Sequence, residues 1–234
     1  MTQQALGPLN SSTLAGILDS LFPVQLRRVR GDNDNALEYR NLMLLGSQGS
    51  GKTTTIQGLA LALGRKYGLD KTVFAIQVAG IDRLLAIPTR IACKCWLLCA
   101  EDVTLAKVPL TDLNRFFQVR HLIEQNTGLR EGMAVTVFNT HTFHGLNKNL
   151  RDTFNALIIK SVPTNPYDRS ILKRYFSPWL LDEFERTWAI DKALVWTPCH
   201  NHGIQVQVVP PGKGIIEETK VKRSFWSWLR ASQP

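Results

Sequence analysis

Apolar residues along the chain form short runs that alternate with stretches of helical periodicity from residue 41 to residue 209. Runs that are apolar at nearly every position predict buried strands, here at residues 41–45, 72–78, 93–100, 133–139, 156–160, 193–196 and 204–209. Helical spacing predicts helices at residues 52–67, 110–127, 146–152, 166–176 and 178–188. This alternation indicates an α/β fold, with a mostly parallel central sheet flanked by helices on both faces. The last two strands are predicted to form a C-terminal β-hairpin around residues 199–203.

Composition and charge narrow the class of protein. The 234-residue length suits one domain with extensions, and a hydrophobic content of 44% is sufficient for a full core. The net charge of +9 predicts a polyanionic partner, either nucleic acid or an anionic membrane surface. No apolar run approaches the roughly 18 residues needed to span a bilayer, and the first ten residues lack the layout of a secretory signal. We therefore expect a cytosolic protein with no transmembrane helix.

The four cysteines favour the same compartment. Cys93, Cys95 and Cys99 crowd one apolar run, and their spacing is not the paired C-x2-C of a zinc site. Buried thiols of a reduced compartment are the favoured interpretation. A metal site in which His200 and His202 assist Cys199 is the alternative.

The most specific motif lies between the first predicted strand and the first predicted helix. Residues 46–53 read Gly-Ser-Gln-Gly-Ser-Gly-Lys-Thr and match the pattern G-x-x-x-x-G-K-[ST]. Its glycines let successive N–H groups turn inward, and the helix N-terminus adds partial positive charge. Lys52 is predicted to reach the β- and γ-phosphates of ATP, and the Thr53 hydroxyl to bind Mg²⁺. The predicted nucleotide-binding residues are Gly46, Ser47, Gln48, Gly49, Ser50, Gly51, Lys52, Thr53 and Thr54.

Two further strand ends carry candidate catalytic groups. Glu101 and Asp102 follow an apolar run, and we expect one to hold Mg²⁺ with Thr53 and the other to orient the attacking water. The alternative is a strand end with a helix-capping aspartate. His141 follows the run at 133–139 and is predicted to lie beside the γ-phosphate and report hydrolysis. Its alternative role, with His144, is to cap the next helix or face solvent.

These motifs together resemble those of the FtsK–HerA superfamily of DNA-pumping ATPases, and within it the genome-packaging ATPases of internal-membrane icosahedral viruses. The loop at 46–53 resembles the Walker A loop, residues 97–102 (LLCAED) the Walker B strand, and residues 135–141 (VTVFNTH) the strand that follows. The Arg-His pair Arg120-His121 and the stretches at 145–152 and 155–159 add to the similarity, which covers roughly residues 40 to 210. Two positions depart from the family pattern, because it has Asp before Glu where Glu101 precedes Asp102, and usually Gln where His141 stands.

The resemblance implies a P-loop NTPase fold of the RecA/ASCE-like type and ATP hydrolysis with Mg²⁺. It also implies a homo-oligomeric ring that translocates double-stranded DNA, without regard to sequence, into a preformed capsid. The expected location is then the host cytoplasm or the virion. Ring ATPases need a positive residue supplied in trans to the γ-phosphate, and Arg120 is favoured over Arg115 and Arg151.

The remaining basic residues are concentrated in a few segments. Side chains that could neutralise DNA phosphates in a central pore are Lys148, Arg151, Arg169, Lys173 and Arg174, with a solvated basic face as the alternative. The tail at 220–230 (KVKRSFWSWLR) combines basic residues with tryptophans, which suits docking on a capsid protein, a neighbouring subunit or the membrane vertex. Packing on its own domain is the alternative.

The predicted organisation is an N-terminal extension at 1–39, an ATPase core at 40–211 and a basic aromatic tail at 212–234. Two other functions remain open at this stage. One is a DNA-associated ATPase for replication initiation or conjugation, and the other is an assembly or extrusion ATPase that is not a motor. A small-molecule kinase is a weaker option, because no lid or acceptor site is evident.

Overall fold

The structure, a computed structural model, describes residues 12–13, 36–67, 72–77, 95–100, 118–119, 121, 125, 131–146 and 148–208. Its strands are β1 (Ser12–Thr13), β2 (Ala36–Leu45), β3 (Thr72–Gln77), β4 (Cys95–Ala100), β5 (Glu131–Thr140), β6 (Ala156–Ile159), β7 (Lys192–Thr197) and β8 (His200–Gln207). Its helices are α1 (Lys52–Tyr67), α2 (Lys148–Arg151), α3 (Pro166–Leu172) and α4 (Pro178–Arg186). Of the helix predicted at 110–127, Val119, His121 and Gln125 are helical, Gln118 is in a turn, and the other residues lie outside the described part of the chain.

The strands form one eight-stranded sheet in the order β1-β8-β7-β6-β2-β5-β4-β3. The five strands β3, β4, β5, β2 and β6 run parallel, whereas β7 is antiparallel to both β6 and β8. The mostly parallel sheet predicted from the apolar runs is therefore confirmed. Because β5 lies between β2 and β4, the carboxyl ends of all three strands meet at the same edge of the sheet.

Two hydrophobic clusters cover the two faces of the sheet. On one face, α1 contributes Ile56, Leu59 and Leu63, which pack against alternate strand residues such as Leu44 and Val137. On the other face, α3 and α4 contribute Leu172, Leu180, Leu181 and Phe184. Burial of both faces explains why the central strands are apolar at nearly every position.

The C-terminal hairpin is confirmed, but its turn is shorter than the sequence pattern indicates. Strand β7 ends at Thr197 and β8 begins at His200, so the polar residues 200–202 belong to a strand. Gly203 has a φ of 74°, and a Cβ there would clash with the Phe176 ring. The predicted turn extends too far because a polar sequence with a glycine is typical of turns, whereas here the glycine makes room for the Phe176 ring.

Two short pairings extend the sheet beyond the predicted core. Strand β2 begins at Ala36, upstream of residue 40, and β1 pairs in parallel with β8. The domain boundaries at residues 39 and 211 stay predictions, and the tail at 212–234 lies outside the described residues.

Candidate nucleotide-binding site

The candidate phosphate loop connects the carboxyl end of β2 to the first turn of α1. The loop begins beside β5, since the Gly46 N–H donates a hydrogen bond to the Thr140 carbonyl oxygen at 3.2 Å. A Cβ at Gly46 would come within 2.6 Å of Ser50 Oγ and 3.0 Å of Lys160 Cβ, so a larger residue cannot fit without a shift. Gly51 has a φ of 87°, a conformation that residues with a side chain rarely adopt. A glycine is therefore favoured at Gly46 by the atoms packed against it, and at Gly51 by its backbone conformation.

Lys52, the first residue of α1, folds back over the loop and is 8% exposed. Its Nζ donates to the carbonyl oxygens of Gly46 (2.7 Å) and Ser47 (3.0 Å), and lies 3.3 Å from His141 Nδ1. An ammonium group is thus fixed at the start of a helix, where the macrodipole also favours an anion. This arrangement suits the binding of a phosphate chain.

His141 stands next to this lysine because of strand register. Leu45 pairs with Thr140 across β2 and β5, so the two residues that follow, Gly46 and His141, emerge side by side. The sequence predicts that His141 lies beside the γ-phosphate, and the structure brings its ring to the lysine predicted to bind that phosphate. Its role as a hydrolysis sensor stays a prediction.

Asn139, which the sequence interpretation passed over, is a further polar group at this strand end. It is 4% exposed, and its Oδ1 has no hydrogen-bond partner among the described residues. In β5 it continues the alternation of Met133, Val135 and Val137, which face α1. A buried amide oxygen without a partner costs free energy. The sequence signal that could have identified Asn139 is its position next to the last residue of an apolar strand.

Asp168 in α3 holds the loop that follows His141. Its Oδ1 accepts hydrogen bonds from the N–H groups of Phe143 (3.0 Å) and His144 (2.5 Å), and lies 3.0 Å from His144 Nδ1. The side chain is fully buried, and its Oδ2 has no partner among the described residues. The first turn of α3 therefore positions the loop that begins with His141. Sequence alone gave no sign of this contact, since an aspartate in a first helical turn is ordinary.

The opposite side of the phosphate loop contacts the end of β6. The Lys160 N–H donates to the Leu45 carbonyl oxygen at 2.8 Å, and the Ser47 N–H donates to Ser161 Oγ at 2.7 Å. Ser161 Oγ in turn donates to Ser47 Oγ at 3.0 Å. These bonds fix the first residues of the loop between β5 and β6.

Of the predicted metal-binding residues Thr53, Glu101 and Asp102, the structure describes only Thr53. Thr53 is exposed on the first turn of α1, so its hydroxyl is accessible to a cation beside the loop. Glu101 and Asp102 lie outside the described residues, directly after β4 ends at Ala100. Thr54 is half-buried one residue further along α1, while Ser47, Gln48 and Gly49 are exposed and Ser50 is buried.

The described cysteines form no disulfide, and the described residues contain no group of three or more His, Cys, Asp or Glu that could hold a metal ion. Cys95 and Cys99 are buried in β4, whereas Cys199 is exposed. The Nδ1 of His200 lies 2.9 Å from Thr197 Oγ1. Cys93 lies outside the described residues.

The predicted DNA-contacting side chains have different surroundings. Arg169 forms ion pairs with Asp182 (2.6 Å) and Glu185 (2.8 Å), and these partners raise its pKa. The guanidinium of Arg151 lies 5.7 Å from the centroid of the Phe143 ring. The exposed members of the set are Lys148, Lys173 and Arg174. The favoured trans arginine, Arg120, and its alternative Arg115 lie outside the described residues, as does the tail at 220–230.

In the described part of the chain, no helix has both the length and the apolar character to cross a membrane. The strand order, the loop between β2 and α1 and the lysine at its end together define a P-loop NTPase fold with a candidate nucleotide-binding site.

The chain matches no protein-family model and no curated protein. Solved structures with a similar fold include the genome packaging NTPase B204 from Sulfolobus turreted icosahedral virus 2 in complex with ATP-gammaS. It is 9% identical with a TM-score of 0.49, covering 73% of this chain and 98% of that one. EssC (ATPases 2 and 3) from Geobacillus thermodenitrificans is 14% identical with a TM-score of 0.47, covering 82% and 44%. The pCW3 conjugation coupling protein TcpA is 7% identical with a TM-score of 0.47, covering 76% and 62%.

Proposed function

We propose that this chain is an ATP hydrolase whose turnover drives the translocation of double-stranded DNA, and that it packages viral DNA into a preformed capsid. The observation that carries the proposal is the position of the Lys52 Nζ, held by two loop carbonyls and 3.3 Å from His141 Nδ1. Binding of the γ-phosphate requires a cation, which Lys52 supplies. Its release requires a polar residue at a neighbouring strand end, which His141 supplies.

The chemistry divides among three strand ends at one edge of the sheet. The loop after β2 binds the phosphates through its N–H groups and Lys52, and Thr53 contributes to the Mg²⁺ shell. Glu101 and Asp102, after β4, supply the second metal contact and the base that orients water. His141, after β5, contacts the γ-phosphate between them. Bound Mg²⁺ neutralises the charge that develops on the phosphates.

The DNA part of the proposal rests on charge and on the sequence resemblance. The chain carries a net charge of +9, and Lys148, Lys173 and Arg174 are exposed. Such groups contact the phosphate backbone and do not read sequence. Arg169 is less suited to this task, because Asp182 and Glu185 already neutralise it. We further propose a homo-oligomeric ring in which Arg120 acts in trans, and a tail at 220–230 that docks the ring on the capsid or membrane vertex.

Steady-state ATP hydrolysis with and without long double-stranded DNA tests the proposal. We expect Mg²⁺-dependent hydrolysis that long DNA of any sequence stimulates, and that Lys52→Ala abolishes. Lys173→Ala tests the DNA contact separately, because Lys173 is an exposed lysine at the end of α3. It should retain basal hydrolysis while losing part of the DNA stimulation, and the remaining stimulation should fall steeply with salt.

Assembly and translocation separate the motor from the other functions. Sizing with a non-hydrolysable ATP analogue should reveal a nucleotide-stabilised ring, and displacement of a third strand from triplex DNA should report movement. Hydrolysis that no DNA stimulates would contradict a DNA motor and favour an assembly or extrusion ATPase. DNA-stimulated hydrolysis without strand displacement would instead favour an initiation-type ATPase.

A further inference from the structure

A segment on the β6 side of the phosphate loop, residues 188–192, lies directly against the start of α1. It connects the end of α4 to the start of β7. A Cβ at Gly51 would come within 3.0 Å of Ile190 Cγ1 and 3.3 Å of the Ile190 carbonyl oxygen. The segment therefore forms one wall of the site at the residue that precedes Lys52.

Hydrogen bonds to one buried lysine fix this wall. The Lys160 Nζ donates to the carbonyl oxygens of Ile190 (2.8 Å) and Lys192 (2.6 Å), and the lysine is fully buried. The indole Nε1 of Trp188 donates to the Lys160 carbonyl oxygen at 2.5 Å. Because Lys160 also bonds to the end of β2, the segment and the phosphate loop share one anchor.

The wall presents apolar surface to solvent. Ile190 is 58% exposed and Trp188 is 45% exposed, although both belong to a segment tied to the protein interior. Ligand pockets are lined mainly by apolar and aromatic side chains with a few polar groups among them. Aromatic and branched aliphatic surfaces of this kind suit the flat face of a purine.

The direction of a bound triphosphate follows from the order of the strands. Lys52 and His141 meet on the β5 side of β2, and the predicted acids follow β4 beyond it. A phosphate chain whose γ end points toward β5 directs its nucleoside toward β6 and β7. Residues 188–192 lie on that side. We propose that Trp188 and Ile190 form the nucleobase-binding surface of the site, for the adenine of ATP; this inference rests on the proposed function.

Calorimetric binding of two ligands tests this assignment. One ligand is a non-hydrolysable ATP analogue and the other is inorganic tripolyphosphate, which has the phosphates without the nucleoside, both with Mg²⁺. We expect Ile190→Ser and Trp188→Ala each to weaken analogue binding by roughly tenfold, a typical effect of losing one well-packed apolar contact. Affinity for tripolyphosphate should stay unchanged in both variants.

Two further variants serve as references. Trp179→Ala removes a tryptophan of similar exposure on α4, and it should change neither affinity. Lys52→Ala should weaken both ligands together, because it alters the phosphate contacts. Ile190→Ser changes an exposed side chain, so it decides the question alone if Trp188→Ala does not fold.

The inference is overturned if both variants bind the analogue as tightly as the wild type, or if they weaken analogue and tripolyphosphate equally. A wild type that binds neither ligand refutes the proposed function itself. The two failures therefore give different results.

Discussion

Replacing Lys160 by methionine should change how the stability of the protein depends on pH. The ammonium group is fully buried, and this burial lowers its pKa from 10.5 to about 8, against a smaller opposing effect of Asp191. Below pH 8 the group is charged in both the folded and the unfolded state. Between pH 8 and 10.5 the unfolded state holds the proton and the folded state does not. Stability therefore rises with pH across this window.

The size of the rise follows from the shift in pKa. A shift of this extent corresponds to about 3 kcal/mol, at 1.36 kcal/mol per unit. At pH 7 the variant loses two hydrogen bonds, and the carbonyls of Ile190 and Lys192 are left without that donor, at a cost of roughly 1–3 kcal/mol each. The variant also loses the desolvation cost of the buried ammonium group, which partly offsets the cost of the two lost hydrogen bonds. Whatever its size at pH 7, the difference in stability between wild type and Lys160→Met therefore grows by up to about 3 kcal/mol toward pH 10.5.

Urea denaturation of both proteins at pH 7, 8, 9 and 10 measures this difference. Lys173→Met is the matched control, because Lys173 is exposed and its curve should parallel that of the wild type. Burial raises the pKa of Tyr39 to about 12, so its stabilisation is complete below pH 10 and is lost only above it. This contribution is common to all three proteins. A difference that stays constant from pH 7 to pH 10 would refute the interpretation of Lys160 as a desolvated cation.

Three other changes test the remaining parts of the site. Gly46→Ala should weaken ATP binding by roughly tenfold in calorimetry, because its Cβ would displace Ser50 or Lys160; wild-type affinity in this variant would contradict the close packing at Gly46. Asp168→Ala should lower the free energy of unfolding by about 2–4 kcal/mol through the N–H groups of Phe143 and His144. Asp168→Asn, which keeps an acceptor, should restore most of it, and an alanine variant as stable as the wild type would contradict the contact. Glu101→Gln and Asp102→Asn should separate Mg²⁺ binding from hydrolysis, and normal hydrolysis in both would show that the acids lie elsewhere.

The starts of α1, α3 and α4 and the end of α1 were predictable to the residue, whereas α2 begins two residues later than predicted and α3 and α4 end earlier. Helices α3 and α4 begin at Pro166 and Pro178, as the sequence indicates, because a capping side chain precedes each proline. Asn165 accepts from the Tyr167 N–H, and Ser177 accepts from the Leu180 N–H. The predicted ends at residues 176 and 188 are too late, since α3 ends at Leu172 and α4 at Arg186. Apolar periodicity reports burial, and Phe176 is buried in the turn after α3.

Contacts between residues distant in sequence account for what the sequence could not provide. Lys160 looks like the polar end of an apolar strand, yet its partners Ile190 and Lys192 lie some thirty residues further along. Asp168 looks like a first-turn acid that favours the helix dipole, but it binds a loop that precedes it by more than twenty residues. Neither contact has a local signature, because each depends on which strands become neighbours.

The position of His141 shows how a local motif and a non-local pairing combine. The motif at 46–53 predicts that Lys52 begins the helix that follows the first strand and the phosphate loop. It does not predict which other strand ends beside Lys52. The parallel pairing of β2 with β5 supplies this information, since Leu45 is in register with Thr140. A shift of one residue in that register would move every β5 side chain to the opposite face of the sheet. The apolar side chains of α1 would then pack against the β5 residues that now face the other side. The same apolar alternation that buries Val135 and Val137 therefore also places His141 beside Lys52.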